Sequence, residues 1–126
     1  MMGKLILIVD DEEMTLQMLS AFLKLYGHDC IAAEDGVEAL EKAYKFNPDA
    51  VILDVMMPQM DGITVCKKLR ANPTTAHIPI IILSGQSHIN AEGEGLEAGA
   101  NAYMKKPMDP QEMLKLLNDL MERDPF

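Results

Sequence analysis

Acidic side chains follow two short apolar segments of the sequence. Asp10 and Asp11 come directly after Leu5–Val9, and Asp54 follows Ala50–Leu53. If these segments are neighbouring strands of a parallel sheet, which lie about 4.8 Å apart, the carboxylates converge. Carboxylates held so close repel one another, so the cluster must raise at least one pKa or recruit a cation. Hard oxygen ligands favour Mg²⁺ or another hard divalent cation such as Mn²⁺, which predicts a metal site.

A hydroxyl and an amine follow two further apolar segments. Ser84 comes after Ile80–Leu83, and Lys106 follows Ala102–Met104 and one other lysine. The Lys106 amine can pair with a carboxylate or with an incoming phosphoryl oxygen, and the Ser84 hydroxyl can donate to the same oxygen. A carboxylate is itself a competent nucleophile for forming an acyl phosphate. Because a cation and Lys106 would neutralise the transferred group, this set of side chains predicts phosphoryl transfer.

The elements that must position these side chains alternate along the chain. Short apolar runs rich in β-branched residues alternate with longer amphipathic stretches, which is typical of βα units around a parallel sheet. The predicted strands are Leu5–Val9, His28–Ala32, Ala50–Leu53, Ile80–Leu83 and Ala102–Met104. The predicted helices are Glu13–Leu25, Val37–Phe46, Ile63–Ala71, Ala91–Ala98 and Pro110–Glu122. Right-handed crossovers make this a doubly wound α/β sheet, in which functional groups collect beyond the carboxyl ends of the strands.

Composition and charge predict one folded domain over residues 1–126. The chain has 126 residues, of which 48% are hydrophobic and 25% charged, enough to build a core without metal or disulfides. Its formal charge of −9 argues against binding to nucleic acid, whose phosphates attract clustered Lys and Arg. The apolar runs are too short for a membrane span or a signal-peptide core, so we expect a cytoplasmic protein without membrane contact. The cysteines, Cys30 and Cys66, lack metal-site spacing and are expected to be reduced.

Four ordered sequence blocks resemble one known family. The runs are LILIVDDEE, VILDVMMPQMDG, IIILSG and GLEAGANAYMKKP. Together they closely resemble the receiver domain of two-component response regulators, and the resemblance covers essentially the whole chain. It implies a flavodoxin-like receiver fold with five helices and a five-stranded parallel sheet in the order 2-1-3-4-5.

The resemblance assigns the acids and their cation. Asp54 would accept the phosphoryl group. Asp11 and Asp54 would ligate Mg²⁺ directly, and Asp10 would act directly or through water. The backbone carbonyl of Met56 would complete the protein ligands.

Three further residues match the phosphorylation switch of that family. Lys106 matches the family lysine because it immediately precedes Pro107, and that peptide bond is expected to be cis. Ser84 stands where the family has a hydroxyl that contacts the phosphoryl oxygen. Tyr103, three residues before Lys106, matches the aromatic residue whose ring turns inward as the hydroxyl moves.

Positions beside the acceptor bear on how long the phosphoryl group survives. Val55, Met56 and Gln86 lie where the family tunes the lifetime of the aspartyl phosphate. Met56 has neither an acid nor an amide that could position an attacking water. This favours a longer-lived phosphorylated state.

The resemblance implies a switch rather than an enzyme that acts on other substrates. A phosphohistidine of a sensor histidine kinase or of a histidine phosphotransfer protein would donate the phosphoryl group. The domain would catalyse only its own phosphorylation and autodephosphorylation. Phosphorylation would change the face formed by helix four, strand five and helix five, which would bind a downstream effector protein or an output domain. The sequence leaves open a phosphorylation-linked homodimer and attachment to a longer protein.

Two alternatives come from other classes of protein. A constitutive receiver-like interaction module, not regulated by phosphorylation, is disfavoured by the intact set of acid, hydroxyl and lysine. A phosphohydrolase with an aspartyl intermediate typically has a second Asp two positions after the nucleophile, where this chain has Met56. That class also usually carries a cap insertion, for which 126 residues leave no room.

Three helices carry further predictions. Asp61 is expected to cap helix three rather than bind metal, because an N-cap Asp accepts a hydrogen bond from a free amide. Glycines inside helix four each cost about 1 kcal/mol relative to Ala, so that helix should be marginal and movable. Helix one has an apolar arc of about 220°, wider than its packing on the core needs. Part of that arc, with Met14 and Met18, should stay exposed and suits the docking of a partner helix.

Overall fold

One parallel sheet organises the chain, which the computed structural model describes at residues 3–57, 59–85 and 91–122. The strands are β1 Leu5–Val9, β2 Asp29–Ala33, β3 Ala50–Asp54, β4 Ile80–Ser84 and β5 Ala102–Lys105. The helices are α1 Glu13–Leu25, α2 Gly36–Phe46, α3 Gly62–Ala71, α4 Ala91–Glu97 and α5 Pro110–Glu122. The strand order is β2-β1-β3-β4-β5, which confirms the doubly wound sheet and the order implied by the resemblance.

Helices cover both faces of the sheet, so its central strands are buried. Every residue of β3 and β4 is buried, as aliphatic runs in a parallel sheet require. α1 and α5 pack on one face through side chains such as Leu19 and Leu117. α2 and α3 pack on the other face, where Val65 and Leu69 are fully buried. Close packing of the two cores holds the strands in place, and it therefore also holds the side chains at the strand ends.

Aspartates set the starts of two helices. Asp35 and Asp61 each accept a hydrogen bond of 2.8 Å from the backbone N–H three residues later. The predicted capping by Asp61 is therefore confirmed. α2 and α3 begin at Gly36 and Gly62, one residue earlier than predicted, because each glycine directly follows its capping aspartate.

Other boundaries differ from the prediction by one residue. β2 begins at Asp29 because the His28 N–H donates to a carbonyl of α1, in the turn that leaves that helix. β3 and β4 each continue one residue further than predicted, to Asp54 and Ser84. Both polar residues are therefore held by the strand ladder rather than by a loop. α4 ends at Glu97, ahead of the turn that closes the helix.

The two cysteines lie on different elements, one on β2 and one in α3. Cys30 and Cys66 are free thiols, and burial raises the pKa of each. Within the part of the chain that the structure describes, no helix is both long and apolar enough to cross a membrane.

Candidate functional site

Three carboxylates meet at the carboxyl end of the sheet. β1 pairs with β3, so Asp10, which follows β1, stands beside Asp54 at the end of β3. One carboxylate oxygen from each of Asp10, Asp11 and Asp54 lies within 4.8 Å of the other two. Asp10 is 1% exposed and Asp54 is 3% exposed, whereas Asp11 is open to solvent. The structure thus brings the three predicted acids together, with two of them buried.

Lys106 brings a positive charge into this cluster. Its Nζ donates to Asp10 Oδ2 at 2.7 Å and lies 3.5 Å from Asp54 Oδ1. The backbone N–H of Lys106 donates to the Ser84 carbonyl at 2.7 Å, which ties the loop after β5 to the end of β4. The peptide bond between Lys106 and Pro107 is cis, as the resemblance predicted. Of the two consecutive lysines, the second therefore reaches the acids.

Asp10 is held through both of its carboxylate oxygens. Oδ1 accepts a hydrogen bond of 2.9 Å from the Glu12 N–H, and Oδ2 accepts the bond from Lys106. Glu12 is the N-cap residue of α1 and makes no side-chain capping bond of its own. Asp10 therefore satisfies a backbone donor at the start of α1 with one oxygen and holds the lysine with the other.

The cluster holds more negative charge than its lysine can offset. Burial raises the pKa of Asp54 to about 6, and the neighbouring charge of Asp10 pushes it in the same direction. Lys106 and a hydrogen bond from the Met56 N–H oppose that rise. Burial by itself would lower the pKa of Lys106, but its hydrogen bond to Asp10 and the charge of Asp54 raise it overall. A divalent cation bound by oxygen ligands would relieve the excess negative charge, so the donor set fits such an ion.

Gly62, to which no role was assigned from the sequence, packs against the end of β3 that carries Asp54. A Cβ atom on Gly62 would clash with the backbone oxygen of Asp54. The Gly62 N–H also donates to the Val55 carbonyl at 3.0 Å. The loop after β3 can return beside Asp54 only because no side chain intervenes. The Asp-Gly pair at positions 61 and 62 is a turn signal in the sequence, but it does not indicate this close approach.

Three further predicted residues, Ser84, Tyr103 and Met56, differ in their exposure to solvent. Ser84 is fully buried, and its hydroxyl donates to the carbonyl of the next residue at 3.1 Å. Tyr103 is half-buried on β5 and packs against the core on the α2 and α3 side of the sheet. The Met56 side chain is 52% exposed, although its backbone N–H donates to the Asp54 carboxylate. Gln86 lies outside the described residues.

The strand order and the acids at one end of the sheet define a class of protein. A five-stranded sheet in this order, with acids and a lysine beyond the strand ends, is the architecture of a signalling receiver. The chain belongs to the response regulator receiver domain family, whose model matches residues 6–118.

Curated relatives support the same assignment. The chain is 43% identical over 122 residues to the alkaline phosphatase synthesis transcriptional regulatory protein PhoP of Bacillus subtilis. It is also 43% identical over 108 residues to the response regulator PleD of Caulobacter vibrioides. The matches cover 97% and 86% of this chain, but only 50% of PhoP and 24% of PleD. The chain thus spans half or less of the length of these two relatives.

Solved structures match over nearly the whole chain. A protein of Chloroflexus aurantiacus, described as a response regulator, has a TM-score of 0.91 and 41% identity. That match covers 96% of this chain and 99% of the other. The chemotaxis response regulator CheY4 of Vibrio cholerae has a TM-score of 0.86 and 35% identity, over 95% of this chain and 99% of CheY4. The receiver fold is therefore shared along the full length of both neighbours.

Proposed function

We propose that Asp54 is the phosphoryl acceptor of this receiver. A carboxylate oxygen of Asp54 attacks the phosphorus of a phosphohistidine, forming a P–O bond as the P–N bond breaks and the imidazole leaves. The donor is a sensor histidine kinase or a histidine phosphotransfer protein. The observation that carries this proposal is the buried Asp54 carboxylate with the Lys106 amine 3.5 Å away, at the end of a central strand.

Members of this family use Mg²⁺, and the acids of this chain fit it. Asp10, Asp11 and Asp54 would hold the ion, together with the backbone carbonyl of Met56. When bound, Mg²⁺ or Mn²⁺ would supply positive charge that offsets the charge of the transferred group. The raised pKa of Asp54 supports this proposal, because it shows that burial disfavours the charged carboxylate. A nearby cation would stabilise that charged form.

Lys106 and Ser84 are proposed to hold the phosphoryl oxygens. Lys106 already lies between Asp10 and Asp54, so a phosphoryl group on Asp54 would offer its amine a further acceptor. The Ser84 hydroxyl donates to a neighbouring carbonyl and could turn to a phosphoryl oxygen by rotation about one bond. We propose that Tyr103 then moves with Ser84, as the switch residue on β5.

The proposed reaction cycle involves no other substrate. The domain would catalyse its own phosphorylation and the later hydrolysis of its aspartyl phosphate. The exposed Met56 side chain cannot orient an attacking water, which supports a long-lived phosphorylated state. An unregulated interaction module would need none of the buried acids. The cytoplasmic location and the extent of the single domain over residues 1–126 stay predictions.

Intact mass spectrometry tests the acceptor proposal. Wild-type protein and Asp54→Asn are incubated with a small acyl phosphate, with and without Mg²⁺. We expect one phosphoryl adduct on the wild type that requires Mg²⁺, and none on the variant. Because some receivers react only with their kinase, phosphohistidine proteins are the second donor. Adducts of equal yield on both proteins would contradict the proposal.

The exposed side of α1 is the proposed docking surface for the phosphohistidine partner. Met14 is 83% exposed, Met18 52% and Leu25 79%, which agrees with the excess apolar arc of this helix. Met18 also lines a cavity of about 350 Å³ with Pro107, next to the lysine of the site. A partner helix packed on the α1 strip, which is formed by Met14, Met18 and Leu25, would lie close to Asp54.

A charge placed on the α1 strip should slow transfer from the partner. We expect Met18→Asp to slow phosphotransfer from a phosphohistidine protein about tenfold or more, with no change in phosphorylation by a small acyl phosphate. Phe46→Asp is the matched control, since Phe46 is 45% exposed at the end of α2, away from α1 and α4. Equal phosphotransfer rates for the two variants would refute docking on α1.

Output is proposed to use the face formed by α4, β5 and α5. α4 is seven residues long and contains two glycines. Its intrinsic helix stability is therefore low. Phosphorylation would shift this face and change its binding to a downstream effector protein, to an output domain or to a second copy of the chain. Hydrogen exchange in α4 that stays the same after phosphorylation would contradict this route.

A further inference from the structure

An apolar groove runs between α2 and α3, on the face of the sheet opposite α1. Its cavity has a volume of about 580 Å³. Its lining includes Val37, Leu40, Tyr44, Met60, Lys68 and Ala71. Val37 is 48% exposed and Tyr44 is 43% exposed, whereas Leu40 and Met60 are half-buried and pack on the core. The groove is thus an exposed continuation of the core rather than part of the acidic site.

α3, on one side of this groove, carries a charge opposite in sign to that of the whole protein. The chain carries a formal charge of −9, yet α3 contains no acidic residue. Its Lys67 and Lys68 are both exposed, and Lys68 lines the groove. Glu41 is the acidic residue in the lining, on the α2 side. A negatively charged ligand would be repelled by most of this protein but attracted to α3.

The floor of the groove belongs to the loop that follows the acceptor. Met60 and Met56 both lie in the segment between β3 and α3. A Cβ atom on Gly36 would lie 2.8 Å from both the Met60 Cβ and the Met60 carbonyl oxygen, so this loop packs without space against the start of α2. A ligand that presses on Met60 would therefore act on the loop whose Met56 N–H binds Asp54.

We propose that the α2–α3 groove binds an acidic amphipathic segment of a partner protein. Apolar side chains of that segment pack on Leu40 and Met60 between Val37 and Tyr44, and its carboxylates pair with Lys68 on the α3 side. Binding there changes the rate at which Asp54 is phosphorylated, and only this coupling rests on the proposed function. The apolar floor and the basic helix beside it together select such a segment over a basic or uncharged one.

The first test is a titration followed by NMR of the whole chain. The probe is a synthetic helical peptide of about 15 residues, with Leu and Phe on one face and Glu elsewhere. A second peptide has Lys in place of every Glu. We expect saturable shifts of the amides of Val37, Tyr44 and Met60 with the acidic peptide, and binding at least about tenfold weaker with the basic one. Shifts confined to α1, or equal binding of the two peptides, would overturn the proposal.

Matched variants test the charge. Lys68→Glu should weaken binding of the acidic peptide about tenfold, whereas Lys115→Glu, at an exposed position of α5, should not. Circular dichroism checks that both variants fold. Equal loss in the two variants would mean that net charge, not the groove, attracts the peptide. Sedimentation of the chain alone shows whether a second copy fills the groove, and a dimer broken by Lys68→Glu would also overturn the proposal.

The coupling is measured on the same samples. Saturating acidic peptide should change the rate of Asp54 phosphorylation by an acyl phosphate about fivefold. An unchanged rate in protein that is phosphorylated normally without peptide would overturn the coupling while leaving the acceptor assignment intact. Failure of phosphorylation with and without peptide would instead refute the proposed function.

Discussion

Lys106 and Arg70 are two half-buried cations that gather oxygen atoms at opposite ends of the sheet. Lys106, at the carboxyl end, donates to Asp10 at 2.7 Å and lies 3.5 Å from Asp54. Its partners are carboxylates, which can gain a proton, bind a metal ion or become phosphorylated. The surroundings of Lys106 can therefore change charge while the fold stays the same.

Arg70, at the other end, binds neutral oxygens. Its guanidinium donates to the carbonyls of Gly99 at 2.8 Å, Ile78 at 2.7 Å and Ala76 at 3.1 Å. A fourth bond of 2.8 Å goes to the side-chain oxygen of Asn101, which also accepts the N–H that begins β4. These bonds join the end of α3 to the loops before β4 and β5.

The two networks differ in whether their acceptors can titrate. Burial lowers the pKa of Arg70, because its partners bring no full negative charge, although the group stays protonated. Nearby carboxylates raise the pKa of Lys106 despite its burial. The carbonyl acceptors of Arg70 do not titrate, so this network does not respond to pH or to cations. The carboxylate acceptors of Lys106 change charge when they bind a proton, a cation or a phosphoryl group. Arg70→Ala, Lys106→Met and the titration of Asp54 separate these behaviours.

Arg70→Ala should cause the largest loss of stability. Removal of four hydrogen bonds at about 1 kcal/mol each lowers the free energy of unfolding by about 3 to 4 kcal/mol. Urea unfolding measures it, with Lys67→Ala, an exposed neighbour on α3, as the control that stays within about 0.5 kcal/mol. Mg²⁺ should not restore the stability of Arg70→Ala. A decrease in the free energy of unfolding below about 1 kcal/mol would show that the Arg70 hydrogen bonds do not stabilise the fold.

Asp54 should make the metal-free protein less stable as pH rises. Its pKa is about 6 in the folded protein and 3.8 when unperturbed, so the folded state binds more protons between these values. The free energy of unfolding should fall by about 2 to 3 kcal/mol between about pH 4 and pH 7, relative to Asp54→Asn. Urea unfolding of both proteins across this range gives the difference. A constant difference would refute the raised pKa.

Lys106→Met should destabilise the protein in a way that depends on conditions. Without the amine, Asp10 and Asp54 lose their countercharge, and we expect a loss of about 2 kcal/mol near neutral pH. Mg²⁺ or acid should restore most of that loss, because both reduce the negative charge. The same titrations on Arg70→Ala supply the contrast. Restoration of both variants, or of neither, would abolish the distinction between the two networks.

Asp61→Ala should have the smallest effect. Loss of the N-cap bond to α3 should cost about 1 kcal/mol in urea unfolding. The rate of phosphorylation should stay within about twofold of the wild type, since Asp61 is not part of the acid cluster. Asp35→Ala, which removes the matching cap of α2, is the parallel variant. Loss of phosphorylation in Asp61→Ala alone would give this residue a part in the site.

The Lys106 network could be predicted from the sequence, but the Arg70 network could not. Asp10, Asp54 and Lys106 each follow an apolar run, and parallel strands bring such residues to one edge of the sheet. Arg70 has no such signal, because its partners are backbone carbonyls in loops whose course is set by the packing of α3 and α4. Gly62 lies between these cases, since its neighbour Asp61 indicates a helix start but not the close approach to Asp54.

Among several oxygen nucleophiles at one rim of the sheet, Asp54 is expected to take the phosphoryl group. Borohydride reduces an acyl phosphate to an alcohol, so it converts a phosphorylated aspartate to homoserine and leaves a serine phosphoester unchanged. After phosphorylation, reduction and digestion, peptide sequencing should find homoserine at position 54 and aspartate at positions 10 and 11. Homoserine at either of those positions, or a phosphoester that persists on Ser84, would show that another side chain takes the phosphoryl group.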